Sequence, residues 1–250
     1  MNSSERYIQI STKFRTDPDD KPSDCRIEMK RILRAGTYRL VYVLFPNTLY
    51  TVNNNNDTIY LEEEGSPVVT GKMVHGFYDH RDFPDVVQAA LNDAIPNNPV
   101  QYSVEYSDTT RKMVIKTVNN IINFRLLFAG PHGNRDNTCH ELIGFNKSDT
   151  PFSTSHDSPG LVNLDPIHTA NISVDQIASV SQQNLHGTTF IVPIPAGIYN
   201  YINYVPDSEF QQTMFVHTDK RVLNLTLKDE YGKMIDTNGT DWMLILEKID

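Results

Sequence analysis

Apolar side chains in this chain recur at every second residue, and few folds satisfy that period. Val100, Tyr102, Val104 and Tyr106 alternate with Gln101, Ser103 and Glu105. Ile122, Phe124, Leu126 and Phe128 repeat the pattern against Asn123 and Arg125, and Leu223, Leu225 and Leu227 repeat it against Asn224, Thr226 and Lys228. Successive strand residues point to opposite faces, so each segment buries one face and wets the other. Tyr38–Phe45 is apolar on both parities except at Arg39, which predicts a strand covered on both faces. Further strands are expected at Tyr7–Ile10, Arg26–Leu33, Thr48–Val52, Thr58–Glu62, Val68–Val74, Lys112–Val118, Thr188–Ile194, Ile198–Tyr204, Thr213–His217 and Trp242–Ile249.

Turn chemistry separates these runs. Asn53–Asn56 is expected to supply the left-handed conformations of a tight reversal. Ser107–Thr110 is predicted to close a hairpin, as are Asp229–Gly232 and Thr237–Thr240, where Asn238-Gly239 is the strongest local hairpin signal. One segment departs from period two. Phe83, Val87, Ala90, Leu91 and Ala94 share one face of an α-helix, with Asp82 as the expected N-cap, Pro84 tolerated in the first turn and Pro96 as the stop. Asn146–Leu161 reads as a long loop rich in Ser, Thr, Asp and Pro.

The chain has 250 residues, with 22 Lys and Arg against 31 Asp and Glu, a net charge of −9. That balance provides no general electrostatic drive toward nucleic acid or an anionic membrane. No apolar run approaches the ~20 residues of a membrane helix. The opening MNSSERYIQI lacks a basic region followed by an apolar one, so no secretion signal is expected. Two cysteines, Cys25 and Cys139, make no disulfide framework and read as reduced thiols.

Several near-motifs fail on inspection. Gly65 to Met73 resembles a phosphate loop but has five residues between its glycines, and Met73 stands where a metal-binding hydroxyl belongs. His140-Glu141-Leu142-Ile143-Gly144 begins like a zinc-protease helix, with Gly144 replacing the second histidine. His132, Cys139, His140 and Glu141 are the densest set of metal-ligand types, but they lack paired spacing, and the intervening Asp136 and Asn137 suit an ordinary turn. His75 and His80 read as loop histidines. The acid runs Asp17/Asp19/Asp20 and Glu62/Glu63/Glu64 read as solvated faces. Trp242 reads as a core aromatic, and Tyr199, Tyr201 and Tyr204 as strand or interface tyrosines. No catalytic, cofactor-binding or metal-binding residue is assigned, and the chain is not expected to be an enzyme.

Four blocks occur in a telling order. Leu33-Arg34-Ala35-Gly36-Thr37-Tyr38-Arg39-Leu40 leads to Pro46–Val52 and the Asn run; Gly76-Phe77-Tyr78 opens the helix. Tyr102–Val118, Phe124–Phe128 and Leu142-Ile143-Gly144-Phe145 follow, and Leu223–Gly232 with Asn238–Trp242 closes the series. In this the chain resembles the penton or minor capsid proteins of virophages, Polinton-like viruses and related large double-stranded DNA viruses. The resemblance implies a mainly β fold, a jelly-roll β-sandwich with an inserted helix-plus-β-meander subdomain. The expected division is 1–66 and 158–250 for the two parts of the jelly roll and 67–157 for the insertion. It further implies pentamers at icosahedral five-fold vertices of the virion, contact with the major capsid protein and a host receptor as a further partner. It implies no cofactor, no direct nucleic-acid contact and synthesis inside the host cell. The alternatives are another minor capsid component, a β-sandwich module that binds glycans or a receptor, and a hydrolase on a β scaffold.

Overall fold

The computed structural model describes residues 6–95, 101–129, 137–165, 167–175, 188–195, 201–209 and 211–250. In chain order the strands are β1 (Tyr7–Ser11), β2 (Asp24–Leu33), β3 (Gly36–Pro46), β4 (Thr58–Glu63) and β5 (Val69–Lys72), followed by helix α1 (Phe83–Ala94). Then come β6 (Tyr102–Ser107), β7 (Lys112–Thr117), β8 (Phe124–Leu126), β9 (Ser155–Asp157), β10 (Thr169–Val174), β11 (Phe190–Pro193), β12 (Tyr201–Tyr204), β13 (Thr213–Val216), β14 (Lys220–Lys228) and β15 (Met243–Lys248). No helix of the described residues is long and apolar enough to cross a membrane. The chain forms two compact units, Met1–Leu49 with Ile167–Asp250, and Tyr50–Pro166.

The first unit has two antiparallel sheets. One runs β1-β15-β3-β12, with β13 pairing the other half of β3; the second runs β11-β10-β14-β2. β12 and β13 together fill one strand position, so each sheet has four. In chain order β1, β2, β3 and β10 alternate between the sheets, β11 stays beside β10, and the remaining strands alternate again. That order is an eight-position jelly roll. It joins distant segments: Tyr7 sits opposite Glu247, and Cys25 opposite Leu225.

The inward faces make one core. Ile10, Tyr38, Phe45, Leu244 and Leu246 from one sheet meet Ile27, Ile172, Phe190, Leu223 and Leu225 from the other. Trp242 is buried, as its flanking alternation predicts, and its Nε1 donates to the Pro22 carbonyl at 2.8 Å. The expected double covering of Tyr38–Phe45 has a different origin. β3 buries Tyr38 and Leu40, then Val43 and Phe45. The pairing with β15 shifts between Ile245↔Tyr42 and Leu246↔Leu40, so Val41 is an extra residue. A bulge thus swaps parity, and apolar residues on both parities serve one buried face.

The second unit holds the sheets β5-β4-β8 and β6-β7-β9, with α1 packed on its core. The hairpin at Ser107–Thr110 forms, with Arg111 at φ 54 completing the reversal. Helix α1 has the expected span and buries Phe83, Val87, Ala90 and Leu91. Its N-terminus is capped differently: Asp82 makes no side-chain cap, and Asp79 Oδ1 instead accepts from the backbone N–H of Arg81 and Asp82 at 2.8 and 3.1 Å. Gly71 in β5 lies so close to the helix that a Cβ there would stand 2.4 Å from the Ala90 carbonyl oxygen.

Further expectations change. Thr48–Val52 is not a strand; its ordered pairing is the single bridge of Val52 to Gly76, with both backbone bonds at 3.1 Å. The Asn run does reverse the chain, without a left-handed residue. Asn56 Oδ1 and Asn53 Oδ1 accept the backbone N–H of Asn53 and Asn55 at 2.7 and 2.9 Å, so side chains stand in for turn carbonyls. Near the C-terminus, Asp229–Gly232 closes a short reversal through the Lys228↔Met234 bridge. Asn238 and Gly239, at φ 51 and 75, instead carry the chain from one sheet to the other, because β14 and β15 lie in different sheets. β4, in sequence before residue 67, pairs with β5 and β8 and belongs to the second unit.

Candidate functional site

The two long sides of the first sandwich differ in how they are closed. On one, Gln212 spans the gap between β11 and β13. Its Oε1 accepts from the Ile191 N–H at 2.6 Å and its Nε2 donates to the Ile191 carbonyl at 2.8 Å. A side-chain amide thereby replaces a neighbouring strand, and Nε2 also donates to the Tyr204 hydroxyl at 3.0 Å. On the other side, β1 and β2 part to leave a groove of about 280 Å³ lined by Tyr7–Ser11, Phe14 and Ile27–Arg31.

The groove has an apolar floor and a cationic rim. Ile10, Ile27 and Met29 are buried beneath it, while Tyr7 and Phe14 are 50 and 56% exposed. Lys30 Nζ lies 5.1 Å from the centre of the Phe14 ring, a cation–π contact that holds the charge at the rim. Along the β2 wall the pairing with β14 shifts register, from Glu28↔Val222 to Leu33↔Lys220. Glu28, the acid on this wall, is bridged to Arg221 at 3.4 Å. Among the described residues β1 pairs only with β15, so one backbone edge of β1 faces the groove side unladdered.

Each unit also buries a carboxylate. Glu247, 1% exposed, lies under the side chains of Arg6 and Arg39, which both bridge it. It is covered by two arginines rather than by the core. Burial pushes its carboxyl up, the arginines outweigh this, and the net shift is down. In the second unit, Asp57 Oδ1 accepts from Thr58 Oγ1 at 2.6 Å and Lys72 Nζ at 2.7 Å, and Oδ2 accepts from His75 Nε2 at 3.0 Å. Burial again opposes these partners and again loses, so Asp57 is held below its usual range. The Thr58 hydroxyl donates to Asp57 and not to His75, so the cluster is no hydroxyl–histidine–carboxylate relay.

The other residues singled out in the sequence fall as follows. His132, Asp136 and Tyr199 lie outside the described residues, as does Pro96. Cys139 is fully buried and its thiol is pushed up to about 12 by burial. His140 Nδ1 pairs with Thr138 Oγ1 at 2.8 Å. Among the described residues no three His, Cys, Asp or Glu side chains gather to hold a metal. His80 lies 3.8 Å from Asp108, apart from the Asp57 cluster. The acid run 62–64 is not one solvated face: Glu62 pairs with Arg125, Glu64 accepts from Asn123, and Glu63 is buried and accepts the Tyr102 hydroxyl at 2.8 Å. Parity was the available signal, since Glu63 shares the inward face of β4 with Ile59 and Leu61. Burial and that bond raise the Tyr102 pKa. Tyr201 is 61% exposed on the outer edge of β12, and Asp17 Oδ1 makes an ordinary Asx turn to the Asp19 N–H.

No protein-family model matches the chain, and no curated protein sequence matches it. Solved structures similar to it include the mavirus penton protein, with a TM-score of 0.49 and 11% identity over 98% of this chain and 99% of that one. They also include a chain of the Sputnik virophage, with a TM-score of 0.36 and 12% identity over 97% of each chain.

Proposed function

We propose that this chain is a structural virion protein, a penton that closes icosahedral five-fold vertices as a pentamer and contacts the major capsid protein. The strand order of the first unit carries the reading. An eight-position jelly roll is an architecture that capsid proteins use to tile a shell. The blocks behind the sequence resemblance support it, because they occupy positions where the backbone is constrained. Gly76 makes the double bridge to Val52. Gly144, at φ 74, lies where a Cβ would stand 2.6 Å from the Gly160 carbonyl oxygen. Leu223–Lys228 forms most of β14, and Asn238-Gly239 is the left-handed turn between the sheets. In this reading the chain performs no chemistry, and its work is done by surfaces in the virion.

The test is electron microscopy of the purified chain, alone and mixed with major capsid protein. Rings of five, or five-fold density at vertices, are expected. Particles whose vertices lack this chain would overturn the reading.

A further inference from the structure

We infer that neighbouring copies in the ring meet head to tail, the β1/β2 groove of one copy receiving the Val205–Glu209 segment of the next. The inference rests on the ring proposed above and names the two surfaces that build it.

Charge is divided along the first unit. Residues 6–33, which contain β1 and β2, hold seven Lys and Arg against five Asp and Glu, a net +2. Residues 167–219, which contain β10 to β13, hold no Lys or Arg and four acids, Asp175, Asp207, Glu209 and Asp219. Asp219 bridges Arg34 at 3.6 Å and Asp175 bridges Lys220 at 3.5 Å, which leaves, in a chain of net −9, a basic β1/β2 flank and an acidic flank at Asp207 and Glu209. They stand at opposite ends of the sheet order, since β1 is one edge of its sheet and β12 with β13 the other. Opposite charge on opposite flanks attracts copies head to tail and repels like flanks, and a head-to-tail contact closes a ring when its rotation closes.

The local chemistry agrees. The groove offers an apolar floor with Lys30 and Arg31 on its wall and Lys13 exposed beside Phe14. Val205–Glu209 follows β12 as an exposed segment with no regular structure. Val205 is 66% exposed, and the Asp207 and Glu209 carboxylates are exposed within three residues. An apolar residue followed by two acids matches an apolar trough with a cationic rim. Filling the groove would also cover the free edge of β1, and exposed strand edges are ordinarily covered or charged.

The test is a double-cysteine chain, Gln9→Cys with Ser208→Cys, oxidised and run without reductant. Both positions are exposed, and the native thiols are poor competitors: Cys25 and Cys139 are buried, with pKa values pushed up to about 11 and about 12. A covalent ladder ending at five is expected, with each single variant forming none. As a second arm, Lys30→Glu should weaken self-association at least ~10-fold, and combining it with Asp207→Lys and Glu209→Lys should restore it. If wild-type rings form while the double-cysteine chain stays unlinked and Lys30→Glu is silent, this contact is wrong and the ring stands. A wild-type chain that remains monomeric with and without major capsid protein removes both.

Discussion

The two units of this protein draw on different mixes of local and distant strand pairing. In the jelly roll nearly every ladder joins segments far apart in sequence, so that β1 and β15, close to the two ends of the chain, lie side by side. In the second unit β4 pairs with β5 and β6 with β7, each its immediate successor, and α1 lies between these hairpins in the chain. Loop-closure cost grows slowly with length but must be met before a distant contact gives anything back. The jelly roll therefore depends on its whole perimeter, and the second unit on two local hairpins that the longer-range ladders β4–β8 and β7–β9 complete.

The largest expected effect breaks the first half of that comparison. Trp242→Ala should destabilise the jelly roll by about 3–5 kcal/mol, through the cavity and the lost bond to Pro22. Hydrogen exchange should show protection falling in β1–β3 and β10–β15 while β4–β9 keep theirs. Equal loss everywhere would show the two units to be one cooperative body. Next is Gly71→Ala, which forces a Cβ against the Ala90 carbonyl and should cost about 1–3 kcal/mol in the second unit. The chain's single tryptophan reports the jelly roll, so its fluorescence transition should be unmoved while protection in α1 and β5 drops.

Acid should separate the units further. Buried His156 donates Nε2–H to the Phe124 carbonyl at 2.9 Å, and burial lowers its pKa below 6.5. The unfolded chain then binds a proton that the folded one refuses, so the second unit loses stability as pH falls from about 6.5 toward the folded value. Among the described residues the jelly roll buries no histidine. Its Glu247 is shifted down, so that contribution is complete above about 4.5 and is lost only as pH falls through the lower folded value. Asp57 behaves likewise in the second unit, below its unfolded value near 3.8. Denaturation followed between pH 7 and pH 5 should show the second unit weakening first, and His156→Gln should flatten that limb. A jelly roll that weakens first would reverse the assignment. The smallest effect is Gly239→Ala. A Cβ there meets nothing within 4 Å, so only the left-handed backbone resists it, at about 1 kcal/mol. The fluorescence midpoint should fall by ~2–4 °C.

Local features were legible because their causes are local. The apolar spacing of Phe83, Val87, Ala90 and Leu91 depends on 3.6 residues per turn, and α1 follows it. The β6–β7 hairpin follows from two alternating runs and a polar loop. Misreadings arose where a distant partner intervened. Val41 is a bulge only because β15 lies alongside, and the buried Glu63 carboxylate is met by the Tyr102 hydroxyl from a strand far along the chain. Neither flank of the sandwich was visible in sequence, since Gln212 and Phe14 carry no motif. Their roles come from Ile191 on one side and Lys30 on the other.

From the residues alone came the β class, the position of most strands, the single long helix and the burial of Trp242. Each follows from a period or a turn read over a few neighbouring positions. The folded molecule decided which strands share a sheet, where the two units divide, which acids lie buried and which flank stays open. A strand's period says which side chains face inward. It is silent on whose backbone will meet its own, because every strand edge carries the same N–H and C=O groups and only the assembled chain brings two particular edges together.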